Sequence, residues 1–303
     1  MLPHNTTLGL KIDVDTFRGT QEGVPRLLKA LGDRTLCASF FLSIGPDNMG
    51  RHVWRLIKPK FLLKMLRGNA AKLYGWDILL KGTFWPGPEI AGNLKNILRS
   101  ITDHGHEIAL HALDHHRWQT RINSMNIFEA KAQLDIAAKK WNSLFGSLPA
   151  VSGTPGWQLS DPWLEVEDGG GWVYHSDCRG SVAGRIRLNG KVFEVPQIPT
   201  TLPTFDEVIG SDGVTVENYN DKLIALLRPG ELNVLTIHAE AEGGVYHGMF
   251  ERFLDACLSA QIAIVPLKHV HDQALSANGG HWPVLDLKFK EIPGREGKVA
   301  VIE

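Results

Sequence analysis

The feature that most constrains this chain is a rhythm of short apolar runs alternating with longer segments of helical period. Leu8, Leu10 and Ile12 alternate with Gly9 and Lys11 and end at Asp13, the period-two pattern of a strand that delivers a carboxylate at its tip. Val24, Leu27, Leu28 and Leu31 recur at helical spacing and stop at Gly32, a residue suited to a C-terminal cap. The run from Leu36 to Ile44 is continuously apolar, as in a strand buried on both faces. Ile90, Leu94, Ile97, Leu98 and Ile101 then predict one helix, followed by a strand over 106–111 and a helix over 127–144. Strands over 150–152, 172–175 and 192–196, a helix over 216–227, a strand over 232–238, a helix over 249–260 and a strand over 262–265 complete the series. Strands that alternate with helices imply a parallel sheet with helices outside, and the length suits one barrel-sized domain over 1–303.

Composition removes several function classes. The 32 Lys and Arg balance 33 Asp and Glu, so bulk positive charge for nucleic acid is absent, and no nucleic-acid partner is expected. Cys37, Cys178 and Cys257 are odd in number and widely spaced, which suits a reducing compartment better than a disulfide framework or a thiolate zinc knot. The first apolar stretch is cut by Lys11, Asp13 and Asp15, so no signal peptide is expected, and no stretch reads as a membrane-spanning helix. The expected location is therefore cytoplasmic.

One segment breaks the rhythm. Within an insertion over about 46–90, residues 49–76 contain no acidic side chain. There Arg51, Arg55, Lys58, Lys60, Lys64, Arg67 and Lys72 are interleaved with Trp54, Leu56, Ile57, Phe61, Leu62, Leu63, Met65 and Leu66. Such a basic amphipathic segment suits an anionic membrane surface, where apolar groups enter the interface and cations meet lipid phosphate. A solvated helix packed on the body has the same pattern.

The residues that promise chemistry fall at strand ends. Asp13-Val14-Asp15 sets two carboxylates on one side of an extended segment, and His111 and His115, at i and i+4, would share one face of a helical turn. An Asp, His and His set converging on one divalent ion would leave open positions for water and substrate. Zinc, manganese, cobalt and nickel all accept it. The second carboxylate would be free to take a proton. His238 closes the strand over 232–238, where it could protonate a leaving amine. Taken singly, each has a plainer reading, as a loop cap for Asp-x-Asp or a hydrogen-bonded strand-end residue for each His.

Together these residues resemble a known family. Asp13-x-Asp15, His111-x-x-x-His115, the turn Thr154-Pro155-Gly156-Trp157, Ser176-Asp177 and Ile237-His238 resemble, in order, the five motifs of the NodB-type polysaccharide deacetylases. That resemblance implies an α/β fold, a distorted (β/α) barrel, that hydrolyses N-acyl sugars with one divalent metal ion. It implies Asp13 as general base, Asp15, His111 and His115 as metal ligands, and His238 as general acid. Blocks outside the motifs, among them 11–19, 45–52, 73–80, 176–180 and 206–210, resemble one branch of the family. Members of that branch remove formyl from undecaprenyl-phosphate-linked 4-deoxy-4-formamido-L-arabinose, a step toward lipid A modification and polymyxin resistance. The implied location is peripheral, on the inner face of the inner membrane, with Arg55 and Lys58 meeting the lipid substrate. An N-deacetylase of polysaccharide or peptidoglycan, and a non-catalytic barrel that binds sugar lipids, are the alternatives.

The chain departs from the family at one place. Many members carry an Arg in the third motif that orients the base, and the matching position here is Gly153. Arg179, beside Asp177, could orient Asp13 or bind substrate phosphate, or be a plain surface residue. Trp157 would line the substrate site, with a backbone N–H near Gly156 or Trp157 as an oxyanion donor.

Overall fold

The computed structural model describes residues 6–51, 87–295 and 297–303, so most of the basic segment, with Arg55 and Lys58, lies outside the described residues. Strands β1 (Thr7–Val14), β2 (Ser39–Ser43), β3 (Glu107–Ala112), β4 (Val151–Ser152) and β5 (Tyr174–His175) lie side by side, all parallel. Two more strands, β9 (Val234–His238) and β10 (Ala263–Val265), also pair in parallel with β1. Beyond β5 come β8 (Lys191–Gln197), still parallel, and then β7 (Gly184–Leu188), antiparallel to β8. The antiparallel pair β11 (Val284–Glu291) and β12 (Lys298–Ile302) extends the sheet, and β6 (Arg179–Gly180) closes the series. The result is a curled, partly closed sheet. An all-parallel sheet is therefore not found, because Asn189 and Gly190, both at positive φ (52° and 82°), form the tight turn that folds β7 back on β8.

Helices α1 (Val24–Gly32), α2 (Ile90–Asn93), α3 (Lys95–Asp103), α4 (His115–Arg121) and α5 (Ile127–Phe145) serve the first half. The second half has α6 (Asp161–Glu167), α7 (Phe205–Val208), α8 (Tyr219–Leu226), α9 (His247–Ser259) and α10 (Leu267–Ala277). The single helix expected across 90–101 is two, since Leu94 leaves helical geometry (φ −118°, ψ 23°). Asn126 caps α5: its Oδ1 accepts from the Phe128 and Glu129 amides, both at 3.0 Å, while Glu129 Oε2 accepts from the Asn126 amide at 3.1 Å.

Strand β1 is buried on both faces, and its two faces have different neighbours. Leu8, Leu10 and Ile12 pack with Leu27, Leu31, Phe250 and Leu254 against the outer helices. Each such side chain contributes about 1.5–3 kcal/mol by leaving water. The opposite face carries Gly9, Lys11 and Asp13 into the curl of the sheet, where Phe41, Ala109, Val151, Tyr174 and Ile198 form an inner cluster. Lys11 is accordingly 0% exposed.

The residues just before β2 and β3 are tied by a histidine. The Ala38 amide donates to His106 Nδ1 at 3.2 Å, and the ring lies against Phe40, with centroids 5.2 Å apart. Burial lowers the His106 pKa from 6.5 to about 4, and His104 adds to the effect. Between these two values the unfolded chain takes up a proton that the folded chain refuses. This group is thus neutral toward stability above pH 6.5 and destabilises the fold as the pH falls toward about 4. Urea unfolding midpoints compared at either end of that window should shift less in His106→Gln than in the wild-type protein.

Candidate metal centre

Backbone register assembles the site. On β1, Asp13 pairs with His238 of β9 and with Phe41 of β2. Between β2 and β3 the register slips, with Leu42 opposite Leu110 and Ser43 opposite Ala112, so His111 is an extra residue on its strand. Bulges of this kind re-aim side chains beside active sites. After β3 the chain turns at Asp114 (φ −142°, ψ 106°), whose carboxylate accepts from the Arg117 amide at 2.9 Å and from Asn48 Nδ2 at 2.6 Å. His115 is the first residue of α4, and its ring lies 5.5 Å from that of His111, centroid to centroid. The two imidazoles do not share a helical face, as the i, i+4 spacing predicts. They meet across a strand-to-helix corner.

Asp15 stands between them. Its Oδ1 is 3.2 Å from His111 Nε2 and its Oδ2 3.3 Å from His115 Nε2. The ligand atoms of all three residues fall within 4.8 Å of one another. His111 Nδ1 lies 2.5 Å from the Gly153 carbonyl, which can only accept, so Nδ1 carries the hydrogen and Nε2 is left with the lone pair that a metal ion would take. An imidazole lone pair facing a carboxylate is repulsive unless a proton or a metal ion lies between. Two imidazoles and one carboxylate form a donor set that suits a divalent ion with open positions. Burial raises the Asp15 pKa, but the two histidines outweigh it and hold the carboxyl well below its usual range.

Asp13 occupies a different environment, with Oδ2 3.9 Å from His111 Nε2 and Oδ1 3.8 Å from Lys11 Nζ. Oδ1 is buried without a hydrogen-bond partner among the described residues. Burial lowers the pKa of His238, yet Asp206, Asp15, Asp13 and Glu242 together carry it above its ordinary value. Glu242 Oε2 accepts from the His238 amide at 3.0 Å, and burial pushes that carboxyl up to about 7. Glu240 Oε1 accepts from the Asp15 amide at 3.1 Å and from the Thr16 amide and hydroxyl, each at 2.8 Å. Glu240 thus fixes the turn that carries Asp15.

No protein-family model matches the chain. A protein of Shewanella sediminis (strain HAW-EB3) named "Probable 4-deoxy-4-formamido-L-arabinose-phosphoundecaprenol deformylase ArnD" is 45% identical over 292 residues, 96% of this chain and 93% of that protein. A protein of Wigglesworthia glossinidia brevipalpis with the same name is 39% identical over 286 residues, 93% of this chain and 97% of that protein. The chain belongs to the ArnD deformylase family. Its fold is similar to the crystal structure of "probable Polysaccharide deacetylase from Pseudomonas aeruginosa PAO1", with a TM-score of 0.58 at 14% identity, over 91% of this chain and 93% of that one. The distorted deacetylase barrel implied by the motifs is the fold observed.

Around the ArnD-type centre, the turn Pro155–Trp157 holds Gly156 at φ 61° and Trp157 at φ 53°. A left-handed non-glycine residue costs on the order of 1–3 kcal/mol and survives only where its surroundings enforce it. Asp177 supplies part of that enforcement, since its Oδ1 accepts from the Thr154 amide at 2.8 Å and its Oδ2 from Gln197 Nε2 at 2.9 Å. Arg179 and Arg295 stack on the two-ring system of Trp157, at 4.7 and 4.6 Å from its centroid. The Arg179 guanidinium donates to both Glu207 carboxylate oxygens at 2.8 and 2.9 Å and to the carbonyls of Thr200 and Leu202. These contacts commit it to bracing the Trp157 turn, so it is not the group that orients the base. Substrate phosphate would have to compete with Glu207 for it.

Glu167, His175 and Asp177 form a second buried group of ligand-type side chains. Ser152 Oγ joins two of them, at 2.8 Å from Glu167 Oε1 and 2.7 Å from His175 Nδ1. Burial, reinforced by Asp177, raises the Glu167 pKa well above its usual value. Ser152 thus ties Glu167 to His175 within the interior.

The roles of the two aspartates are separable. Asp15→Ala should lose the divalent metal that the wild-type protein retains through gel filtration, whereas Asp13→Ala should keep it, as read by elemental analysis of the purified proteins.

Proposed function

We propose that this chain is a metal-dependent hydrolase that removes the formyl group from undecaprenyl-phosphate-linked 4-deoxy-4-formamido-L-arabinose, giving formate and the amino sugar lipid used in lipid A modification. The observation that carries this reading is the pairing of Asp13 with His238 on adjacent strands, beside the Asp15, His111 and His115 set. A base and an acid at one mouth are what amide hydrolysis needs. A divalent ion in that set supplies Lewis-acid polarisation of a carbonyl oxygen and lowers the pKa of water toward about 7.

The chain's own residues do the rest. Asp13 takes the proton from the attacking water, an assignment supported by its lying outside the three-ligand set. As the water oxygen bonds to the formyl carbon, negative charge grows on the formyl oxygen. The Gly156 amide offers a backbone N–H for it, the Trp157 amide already donating to the Thr154 carbonyl at 3.4 Å, and loss of one such donor typically costs about 10²–10³ in kcat. His238 then delivers a proton to the sugar nitrogen as the C–N bond breaks, because an amide anion is a very poor leaving group. The surrounding carboxylates favour its charged form. General acid or base help of this kind is worth about 10²–10⁴.

The substrate's lipid tail defines the partner. An undecaprenyl phosphate sugar stays in the bilayer, so the enzyme works at an anionic membrane surface, peripheral on the inner face of the inner membrane. No helix among the described residues is long and apolar enough to cross a membrane. The basic segment over 49–76 supplies cations and apolar groups for docking, with Arg55 and Lys58 nearest in character to phosphate ligands.

Formate release from the lipid-linked formamido sugar tests the reading. Wild-type protein should be active, lose activity on chelation and recover it with zinc, manganese, cobalt or nickel, while Asp13→Ala and His238→Ala fall by at least about 10²-fold. Full activity in stripped protein would overturn it. Separately, Asp in place of Arg55, Lys58 and Lys64 should weaken binding to anionic liposomes and turnover of the lipid substrate, with a soluble formamido sugar hydrolysed as before. Equal loss on both substrates would remove the docking role.

A further inference from the structure

Gly153, in the third motif, carries no side chain that could orient Asp13, and Arg179 is bonded elsewhere. Asp13 nevertheless has a cation beside it. Lys11 precedes it by two residues on β1, so both side chains project from the inner face of the same strand. The ammonium is 0% exposed, 3.8 Å from Asp13 Oδ1, and donates to the Ser176 carbonyl at 2.9 Å. It also lies 4.3 Å from the centroid of the Phe41 ring. A buried ammonium persists only when paired and hydrogen-bonded. Among the described residues the Ser176 carbonyl, the Ser176 hydroxyl at 3.4 Å, the ring and Asp13 surround it.

Gly153 makes the room. A Cβ at that position would lie 3.0 Å from Lys11 Nζ and 2.5 Å from Phe41 Cε1, closer than carbon atoms pack. A side chain there and the Lys11 ammonium thus compete for one space. Asp13 Oδ1, which has no hydrogen-bond partner among the described residues, faces this ammonium, while Oδ2 faces His111.

We propose that Lys11 is the positioning residue for Asp13, holding one carboxylate oxygen so that the other is presented to the reacting water, and that Gly153 is present to admit it. This rests on the deformylase reading for its kinetic consequence but not for its structural one. Lys11 does not touch substrate, and its effect passes through Asp13.

Kinetics and stability test the inference independently. Lys11→Met should keep its metal and its KM within about threefold while kcat falls by at least about 30-fold, less than the roughly 10²-fold or more expected for outright loss of a general base. Lys11→Arg, which restores a cation, should recover kcat to within about tenfold of wild type. Should Lys11→Met fail to fold, Lys11→Gln, which keeps a donor for the Ser176 carbonyl but no charge, should show the same kcat loss with KM and metal kept. Folded variants with unchanged kcat, loss confined to KM, or loss of metal would overturn the proposal. The activity-independent arm is a thermal double-mutant cycle. Lys11→Met with Asp13→Asn should melt higher than the summed losses of the single variants, and strict additivity would overturn the pairing. A wild-type protein that releases no formate while the cycle shows coupling would sink the functional reading alone.

Discussion

Carboxylates crowded at the end of a buried strand are tolerable only if positive charge comes with them. Asp13, Asp15, Asp206 and Glu242 all act on His238, and Glu240 lies against the Asp15 turn. Removing such groups from water costs several kcal/mol each unless they are paired or neutralised. The site uses three remedies at once. Lys11 and His238 bring cationic partners, the Asp15 set is built for a divalent ion, and Glu240 and Glu242 are pushed by burial to about 7, so that each is partly neutral near physiological pH. These remedies are interdependent. An ion at Asp15 changes the field that Glu240 and His238 feel, so metal binding and the protonation of the acid belong to one electrostatic system.

The backbone explains how one dipeptide repeat divides into two functions. Asp13 and Asp15 are separated by a single residue, yet the first is the last inner-face position of β1 and the second lies just beyond the strand, in a turn held by Glu240. Their partners differ accordingly. Asp15 meets two imidazoles that arrive from a bulged strand and a helix start, whereas Asp13 meets an ammonium from its own strand. Moving β1 by one residue relative to β9 would take Asp13 away from His238 and turn Leu10 and Ile12 inward. Burial on both faces therefore fixes the catalytic register as firmly as it fixes the core.

Much of this architecture is legible in the sequence because the strongest signals are periodic. The runs at Leu8–Ile12 and Leu36–Ile44, and the helices at 24–32 and 127–145, stand within a few residues of where their patterns put them. What escapes is short or shares a pattern with something else. Asn189-Gly190 is a hairpin signal between two alternating segments, but only the second segment reads as a strand. Leu267, Val270, His271 and Ala274 have helical spacing, with a histidine on the apolar face that weakens the signal of α10. Lys11 is hidden for a deeper reason. An alternating Leu, Gly, Leu, Lys pattern is the signature of a strand with one wet face, and nothing local distinguishes a face turned to water from one turned into a curled sheet. The His111 and His115 pair is found by spacing although its geometry is not helical, because a strand-to-helix corner also brings i and i+4 together.

The C-terminal hairpin shows how residues remote from the motifs can shape the same centre. Arg295, in the loop between β11 and β12, lies 4.6 Å from the centroid of the Trp157 ring, which Arg179 also approaches, and bonds to Glu207 at 2.9 Å, to the Thr204 hydroxyl at 2.9 Å and to Asp206 at 3.2 Å. Two guanidinium groups therefore contact the indole that follows Gly156, and one acidic pair, Asp206 and Glu207, anchors them. Asp206 is also the carboxylate that raises the His238 pKa most. Arg295 draws on that same negative charge, so its contact with Asp206 bears on the field at the proposed proton donor while its ring contact lies at the turn of the proposed oxyanion donor. A tail with little resemblance to the family motifs thus supports both ends of the proposed reaction, as expected where a site is held by rigid elements behind the groups that act.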